Sequence, residues 1–216
     1  MQTDDLITHL TQNLPPVRRA ASPWALLLRW VLVTAPVLVL VVGLMGPLPH
    51  LTTLMMQPRF MRAELLAGVT ALTAAYAAFC AGRPDEPVWK LWLPAAAFCL
   101  WVAELGRQCF VLSVQTKGAA LVLHTDFMCI PAIAITGLFP AIAMVWFLRK
   151  RTAFRSTHAS LCGAMAAAAA AEVALPLFHA ADTMMMVLVW QMGSVVLFTL
   201  FAAACGRFIL TEPAMI

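Results

Sequence analysis

Apolar residues gather along the chain into six long stretches separated by short polar connections. The stretches cover about 26–47, 61–81, 90–105, 127–148, 158–178 and 184–206. A membrane-spanning helix needs about 20 mostly apolar residues. The alternation typical of strands is absent, and lipid requires a backbone that satisfies its own hydrogen bonds. The pattern predicts an all-α, polytopic six-helix bundle over residues 24–207, with a polar segment 1–23 before it and a short tail 208–216 after it.

The composition supports this prediction. Of the 216 residues, 62% are hydrophobic and only 11% are charged, against about 45–50% and about 25% in soluble domains. The balance excludes a water-soluble domain, a disordered chain and a nucleic-acid-binding module. It also leaves little chain for an extramembrane catalytic domain, so we expect the lipid bilayer as surroundings and no direct contact with nucleic acid.

The basic residues predict an orientation, because cytoplasmic connections are enriched in Lys and Arg. An inside N-terminus places ten of the fourteen inside and four outside. The run Arg149-Lys150-Arg151 between the fourth and fifth stretches is the strongest anchor. We therefore predict that both termini face the cytoplasm. The inside set is Arg18, Arg19, Arg29, Arg83, Lys90, Arg149, Lys150, Arg151, Arg155 and Arg207, and the outside set is Arg59, Arg62, Arg107 and Lys117.

The polar N-terminal segment predicts a short amphipathic helix. Thr3 can cap it, and Asp4 and Asp5 fall in its first turn, where negative charge is favourable. Pro15 and Pro16 end it. So short a helix is marginal alone, which favours docking into a groove on a partner. The alternative is a helix lying on the membrane surface, but its polar face is acidic. The apolar stripe consists of Leu6, Ile7, Leu10 and Leu14.

Glu172 is the one carboxylate that lies well inside a predicted span. Charged groups at membrane depth usually face the bundle interior and have a partner. Pro176 and His179 share its helix face, and His179 or Arg107 could neutralise it. The alternatives are a protonated carboxyl group or one that reaches the surface. Glu104 and Arg107 are three residues apart, so they predict a local ion pair.

A second group of candidates lies on the predicted outer side. A soft metal or an oxidant from outside would meet the sulfur of Cys129 first. Cys129, His124 and His179 are therefore weak metal-ligand candidates, with Asp126 and Asp182 nearby in the connections. The alternative is that all of them are ordinary loop residues.

Enzyme chemistry has little support in the sequence. Ser194 follows Gly193 without a G-x-S-x-G motif, and the five histidines (His9, His50, His124, His158, His179) lie at span ends or outside, so no helix pair offers haem ligands. Glycine-rich phosphate loops are also absent. We predict a protein that is not an enzyme and has no cofactor.

Four stretches resemble the NrsF-type family of membrane anti-sigma factors. Their order and spacing cover nearly the whole chain. They are Asp4-Asp5-Leu6-Ile7 with Leu10 and Pro16-Val17-Arg18-Arg19; Gln57-Pro58-Arg59-Phe60 with Glu64; Asp126 and Cys129 through Pro140 to Leu148-Arg149-Lys150; and Leu177-Phe178-His179 with Asp182, Trp190, Gly193 and Gly206-Arg207.

The resemblance implies six helices in the bacterial inner membrane and an N-terminal segment that binds an extracytoplasmic-function sigma factor. It also implies outer cysteines that release the sigma factor in response to heavy metals or oxidants. Cys129 matches the first such cysteine, whereas Ala180 stands at the second. His50-Leu51 replaces the family's Arg-Asp pair, and Ile209-Leu210-Thr211 replaces its terminal Leu-Arg-Trp.

The sequence therefore predicts a regulatory binding protein that holds a sigma factor through Asp4, Asp5, Leu6, Ile7, Leu10 and Leu14, with Cys129, His179 and Glu172 as candidates for sensing the signal. Two alternatives stay open. A small transporter or channel would use the few polar groups at the middle of the bundle, namely Glu172, Gln191 and Thr199. A membrane assembly subunit would sense no signal at all.

Overall fold

The computed structural model describes residues 21–118, 129–149, 155–179 and 184–210, together with Thr3, Ile7 and Thr11. This part of the chain contains helices and no strand. Six helical spans are long and apolar enough to cross a membrane, which confirms the all-α, six-span prediction. The long helices are α1 (Pro23–Met45), α2 (Pro58–Ala81), α3 (Leu93–Gln115), α4 (Cys129–Arg149), α5 (Ser156–Ala174) and α6 (Met192–Leu210).

Short helical segments join or extend the long helices. A five-residue helix lies between α1 and α2, and a 3-10 turn leads directly into α3. Another 3-10 turn continues α5, and a turn of α-helix followed by a π-helix precedes α6. In chain order these segments are Leu51–Met55, Val88–Trp92, Leu175–Leu177, Met184–Met186 and Val187–Gln191.

The helix ends follow local chemistry. At the start of α1 the Ser22 hydroxyl accepts a hydrogen bond from the Ala25 N–H at 3.2 Å, and Pro23 occupies the first turn, where its missing N–H costs nothing. At the other end Gly46 has a φ of 87°, a conformation that favours glycine. Helix α3 runs well past the predicted end at 105, because the polar side chains after Trp101 bond to one another on the helix surface.

Helix α5 lies at the centre of the bundle and packs against α2, α4 and α6. All of Ala166–Ala171 is buried. Small side chains let helix backbones approach closely, and a Cβ added at Gly163 would lie 2.9 Å from the Met144 Cγ on α4. By contrast, only 22% of an 18-residue apolar stretch of α1 is buried, against 61% of the corresponding stretch of the span that contains α5. Helix α1 therefore lies at the edge of the bundle.

Trp30 lies inside the bundle rather than at its surface. Its side chain is 2% exposed, and its Nε1–H donates a hydrogen bond to the Pro140 carbonyl of α4 at 3.1 Å. The ring is buried because α1 crosses α4 at this level, where the indole N–H finds an acceptor. The tryptophans that are more than half exposed are Trp24, Trp89, Trp92 and Trp146.

Backbone hydrogen bonds tie neighbouring segments together at both ends of the bundle, and each end carries basic residues. At one end the Arg155 N–H donates to the Ala81 carbonyl at 3.1 Å, joining the start of α5 to the end of α2; at the other the Leu48 N–H donates to the Leu177 carbonyl at 2.9 Å. The first end holds Arg83, Lys90, Arg149 and Arg155, and the second holds Arg59, Arg62, Arg107 and Lys117. The segregation follows the two predicted sets, while the membrane side of each end stays a prediction.

Candidate functional site

Three residues of the predicted N-terminal helix are described, and all three are helical and exposed. Thr3, Ile7 and Thr11 are spaced four apart, so they share one helix face. The Thr11 hydroxyl donates to the Ile7 carbonyl at 2.8 Å. Ile7 is 53% exposed, as a side chain available to a partner must be. The other proposed binding residues, Asp4, Asp5, Leu6, Leu10 and Leu14, lie outside the described residues.

The proposed outer cluster is only partly described. Cys129 is the first residue of α4, and His124, Asp126 and Asp182 lie outside the described residues, as do Lys150 and Arg151 of the basic anchor. His179 follows the Leu175–Leu177 turn, and its backbone N–H donates to the Leu175 carbonyl at 2.9 Å. Within the described ranges no group of three or more His, Cys, Asp or Glu side chains is placed to hold a metal ion. A metal site at Cys129 therefore stays a prediction.

A cavity of about 810 Å³ opens at the bundle end opposite the connection between α4 and α5. Its walls come from the start of α2, the second half of α3, the end of α5 and the π-helix before α6. Apolar side chains form much of the wall, and polar ones are concentrated in a few positions. The polar and charged residues of the wall include Arg59, Arg62, Glu64, Arg107, Gln108, Glu172, His179 and Gln191.

Glu172 lines this cavity from inside the bundle. Its side chain is 2% exposed, and its Oε1 atom has no hydrogen-bond partner among the described residues. The alternative of a side chain reaching the surface is therefore wrong. Pro176 and His179 line the same cavity, as their shared helix face predicts. Arg107 does not neutralise Glu172, since its guanidinium pairs with Glu104 at 2.8 Å instead.

Glu64 is the residue that sequence reasoning missed. It lies within α2, is partly buried, and lines the cavity with Glu172. In the sequence, Glu64 stood out only as part of the entry to the second helix. An acidic residue inside an apolar helix was itself a signal, because such residues usually face the bundle interior.

A charged network crosses from α2 to α3 beside the cavity. Glu104 accepts hydrogen bonds from Arg107 and from Arg62 at 2.8 and 2.9 Å. The Gln108 side-chain amide donates to Glu104 and to the Arg59 carbonyl, both at 3.0 Å. The pairing of Glu104 with Arg107 was predicted from their spacing, whereas the contribution of Arg62 from another helix was not. The network fixes the α2–α3 wall of the cavity.

The opposite wall contains the π-helix Val187–Gln191, of which Val187 and Gln191 line the cavity. Such segments are rare and occur frequently at functional sites, because they change the direction of side chains within a helix. Gln191 is 3% exposed. The cavity therefore lies where an irregular helix meets the buried carboxylates.

These features define a multi-pass membrane protein whose polar groups collect at one end of a six-helix bundle. The chain belongs to the NrsF family, described as negative regulator of sigma F, whose pattern matches residues 10–211. This confirms the resemblance found in the sequence and makes the chain a negative regulator of a sigma factor. No curated protein and no solved structure matches the chain.

Proposed function

We propose that the protein holds an extracytoplasmic-function sigma factor at the bacterial inner membrane through residues 1–23 and releases it when a metal or redox signal arrives outside the cell. It acts by binding rather than by catalysis. The observation that carries this proposal is the family match over residues 10–211. A regulator that spans the membrane several times has one face for an external signal and another for a cytoplasmic partner.

The N-terminal helix supplies the binding chemistry in this proposal. Leu6, Ile7, Leu10 and Leu14 fill an apolar groove on the sigma factor, while Asp4 and Asp5 meet its basic, promoter-contacting surface. The exposed Ile7 side chain supports this part. The family match begins at residue 10, so Asp4–Ile7 precedes the matched region and is the part of the helix that most needs a direct test.

The central helix α5 gives the signal a physical route across the membrane. Its end carries Glu172 and leads to His179 beside the cavity, while its start is bonded to the end of α2 through Arg155 and Ala81. A small shift of α5 therefore moves both ends of the bundle. The signal must bind the two states of the bundle with different affinity, and Cys129, His179 and Glu172 are the proposed sensing residues.

Reversing the charge of Asp4 and Asp5 tests the binding surface. The full chain carrying Asp4→Lys and Asp5→Lys should capture the sigma factor at least about tenfold less well in co-purification, because charge reversal replaces attraction by repulsion. Asp85→Lys is the matched control, since Asp85 is exposed in a connection at the same predicted side. Undiminished capture by the double variant would remove the acidic face from the mechanism, and no capture by the natural chain would overturn the proposal.

Replacing Cys129 tests the sensing route. Cys129→Ser should abolish release of the sigma factor by a thiol-reactive metal or oxidant while leaving its capture unchanged. Cys99→Ser is the control, because Cys99 is an exposed thiol on α3. A full response in the Cys129 variant, measured as transcription from a sigma-dependent promoter, would show that the signal is independent of this cysteine.

A further inference from the structure

We propose that the cavity at the end of the bundle binds a small organic cation, with an ammonium group between Glu172 and Glu64 and an apolar body against the aromatic wall. This goes beyond the proposed capture of a sigma factor and does not depend on it.

The first step is the state of Glu172. Its side chain is 2% exposed, and its Oε1 atom has no hydrogen-bond partner among the described residues. An unpaired polar group in such a place is costly, and acidic side chains inside membrane spans usually mark a functional site. Glu64 places a second carboxyl group on the wall of the same cavity. A cation between the two groups would give the Glu172 Oε1 atom the partner that it lacks among the described residues.

The second step is that the three arginines on the cavity wall are engaged elsewhere. Arg62 and Arg107 both pair with Glu104, at 2.9 and 2.8 Å. The Nε of Arg59 donates to the Gln57 side chain at 2.9 Å. These arginines line the cavity without bonding to the Glu172 Oε1 atom, and no other described residue bonds to that atom.

The third step identifies the kind of cation. Two carboxylates are too few to enclose a metal ion, and no set of three or more acidic, His or Cys side chains suited to a metal exists in the described ranges. The walls carry Phe60, Trp101 and Leu105. An aromatic face attracts ammonium groups, and apolar walls favour an organic body. The volume of about 810 Å³ falls within the range of about 300–1,000 Å³ for small-molecule sites.

The fourth step concerns the helices that a ligand in the cavity would contact. The π-helix Val187–Gln191 forms one wall and joins directly to α6. A ligand that contacts this segment and Glu172 touches α5 and α6 together. Because the charge distribution predicts that this end faces outside, we infer that the ligand enters from the extracytoplasmic side.

The test uses the purified full chain and three probes of nearly equal size: phenethylamine, 2-phenylethanol and phenylacetate. They are cationic, neutral and anionic at neutral pH. Isothermal titration should show that the amine binds at least about tenfold more tightly than the alcohol, because charge-assisted hydrogen bonds are roughly twice as strong as neutral ones. Phenylacetate should bind most weakly. Glu172→Gln and Glu64→Gln should each weaken the amine at least tenfold and leave the alcohol unchanged.

The control variant is Glu86→Gln, which removes a carboxylate paired with Lys90 at the other end of the bundle and should leave amine binding unchanged. Equal binding of amine and alcohol would reduce the cavity to an apolar pocket, and tighter binding of phenylacetate would assign it to the arginines; each result overturns the proposal. The probe comparison needs no variant, so it decides the question even if Glu172→Gln fails to fold. Capture of a sigma factor is measured separately, so failure of either proposal is distinguishable from failure of the other.

Discussion

Polar side chains inside the bundle differ in where they find hydrogen-bond partners. The hydroxyls of Thr34, Thr70 and Ser160 donate to backbone carbonyls four residues earlier in their own helices, at 2.7–2.9 Å. These bonds make each residue self-sufficient in an apolar setting. The buried polar residues of the bundle therefore include more than Glu172, Gln191 and Thr199, the three that were expected at its middle. Among the described residues, Trp30 instead bonds to another helix, and the Glu172 Oε1 atom has no partner.

Trp30 provides a direct test of such a dependence. Trp30→Phe keeps an aromatic ring but removes the Nε1–H donor to the Pro140 carbonyl, which then stays buried without this partner. We expect a loss of about 1–3 kcal/mol in the free energy of unfolding, measured by thermal unfolding in detergent. Trp92→Phe is the control, because its side chain is 70% exposed. Equal losses in the two variants would show that the hydrogen bond contributes little.

At the scale of elements, the tight packing of α5 against α4 depends on the absence of a side chain at Gly163. A Cβ at this position would lie 2.9 Å from the Met144 Cγ and 3.4 Å from the Leu148 Cδ1. Gly163→Ala should therefore lower stability by about 1–3 kcal/mol through overpacking, even though alanine is the better helix former. The same thermal unfolding measurement reports the change.

Gly68 on α2 is the matched control for this prediction. It lies inside a long helix like Gly163, but a Cβ there meets nothing within 4 Å. Gly68→Ala should therefore raise stability by about 0.5–1 kcal/mol. If both substitutions changed the unfolding temperature in the same direction, close approach of α4 and α5 at Gly163 would not be the determining contact.

The six long helices were predictable because their length and apolar content follow from the thickness of a bilayer, which each span meets independently. The ion pair of Glu104 with Arg107 was predictable for a similar reason, since three residues along one helix fix their proximity. The surroundings of Arg62 and Glu64 were not predictable in this way. Arg62 pairs with Glu104, 42 residues further along the chain, and Glu64 shares its cavity with Glu172. Only the packing of α2 against α3 and α5 brings these groups together.

Hydrophobic periodicity did not predict the bounds of the irregular segments either. Nothing in the apolar run after 184 distinguishes an α-helix from the π-helix Val187–Gln191. Similarly, the apolar run ends at 105, whereas α3 continues to Gln115, and polar side chains beyond Trp101 bond to one another on its surface.

At the scale of the whole molecule, the two bundle ends have different electrostatic environments. At the end that carries Arg83 and Arg155, the Arg83 guanidinium bonds to the Asp85 carboxylate at 2.6 Å. This hydrogen bond holds the pKa of Asp85 below its usual value, so the pair stays charged at neutral pH and adds to the polar character of that connection. At the other end the charges are grouped around the cavity. Which end faces the cytoplasm stays a prediction from the distribution of Lys and Arg along the sequence.

The orientation can be measured with single cysteines at the two ends. Met56 is 84% exposed in the connection next to the cavity, and Pro84 is exposed in the connection next to Arg83. In intact spheroplasts a membrane-impermeant maleimide should label Met56→Cys strongly, and label Pro84→Cys only after lysis. The natural chain, with its own thiols, gives the background labelling.

The same measurement bears on both proposals at once. An even number of spans places both termini on one side, so the side of Pro84 is also the side of residues 1–23. If Pro84→Cys is labelled before lysis, the N-terminal helix cannot meet a cytoplasmic sigma factor, and the cavity opens toward the cytoplasm. In that case an ammonium ligand would come from metabolism rather than from the surroundings, although its binding between Glu172 and Glu64 would be unchanged. The orientation therefore decides what the cavity can sense, while the carboxylates decide what it can bind.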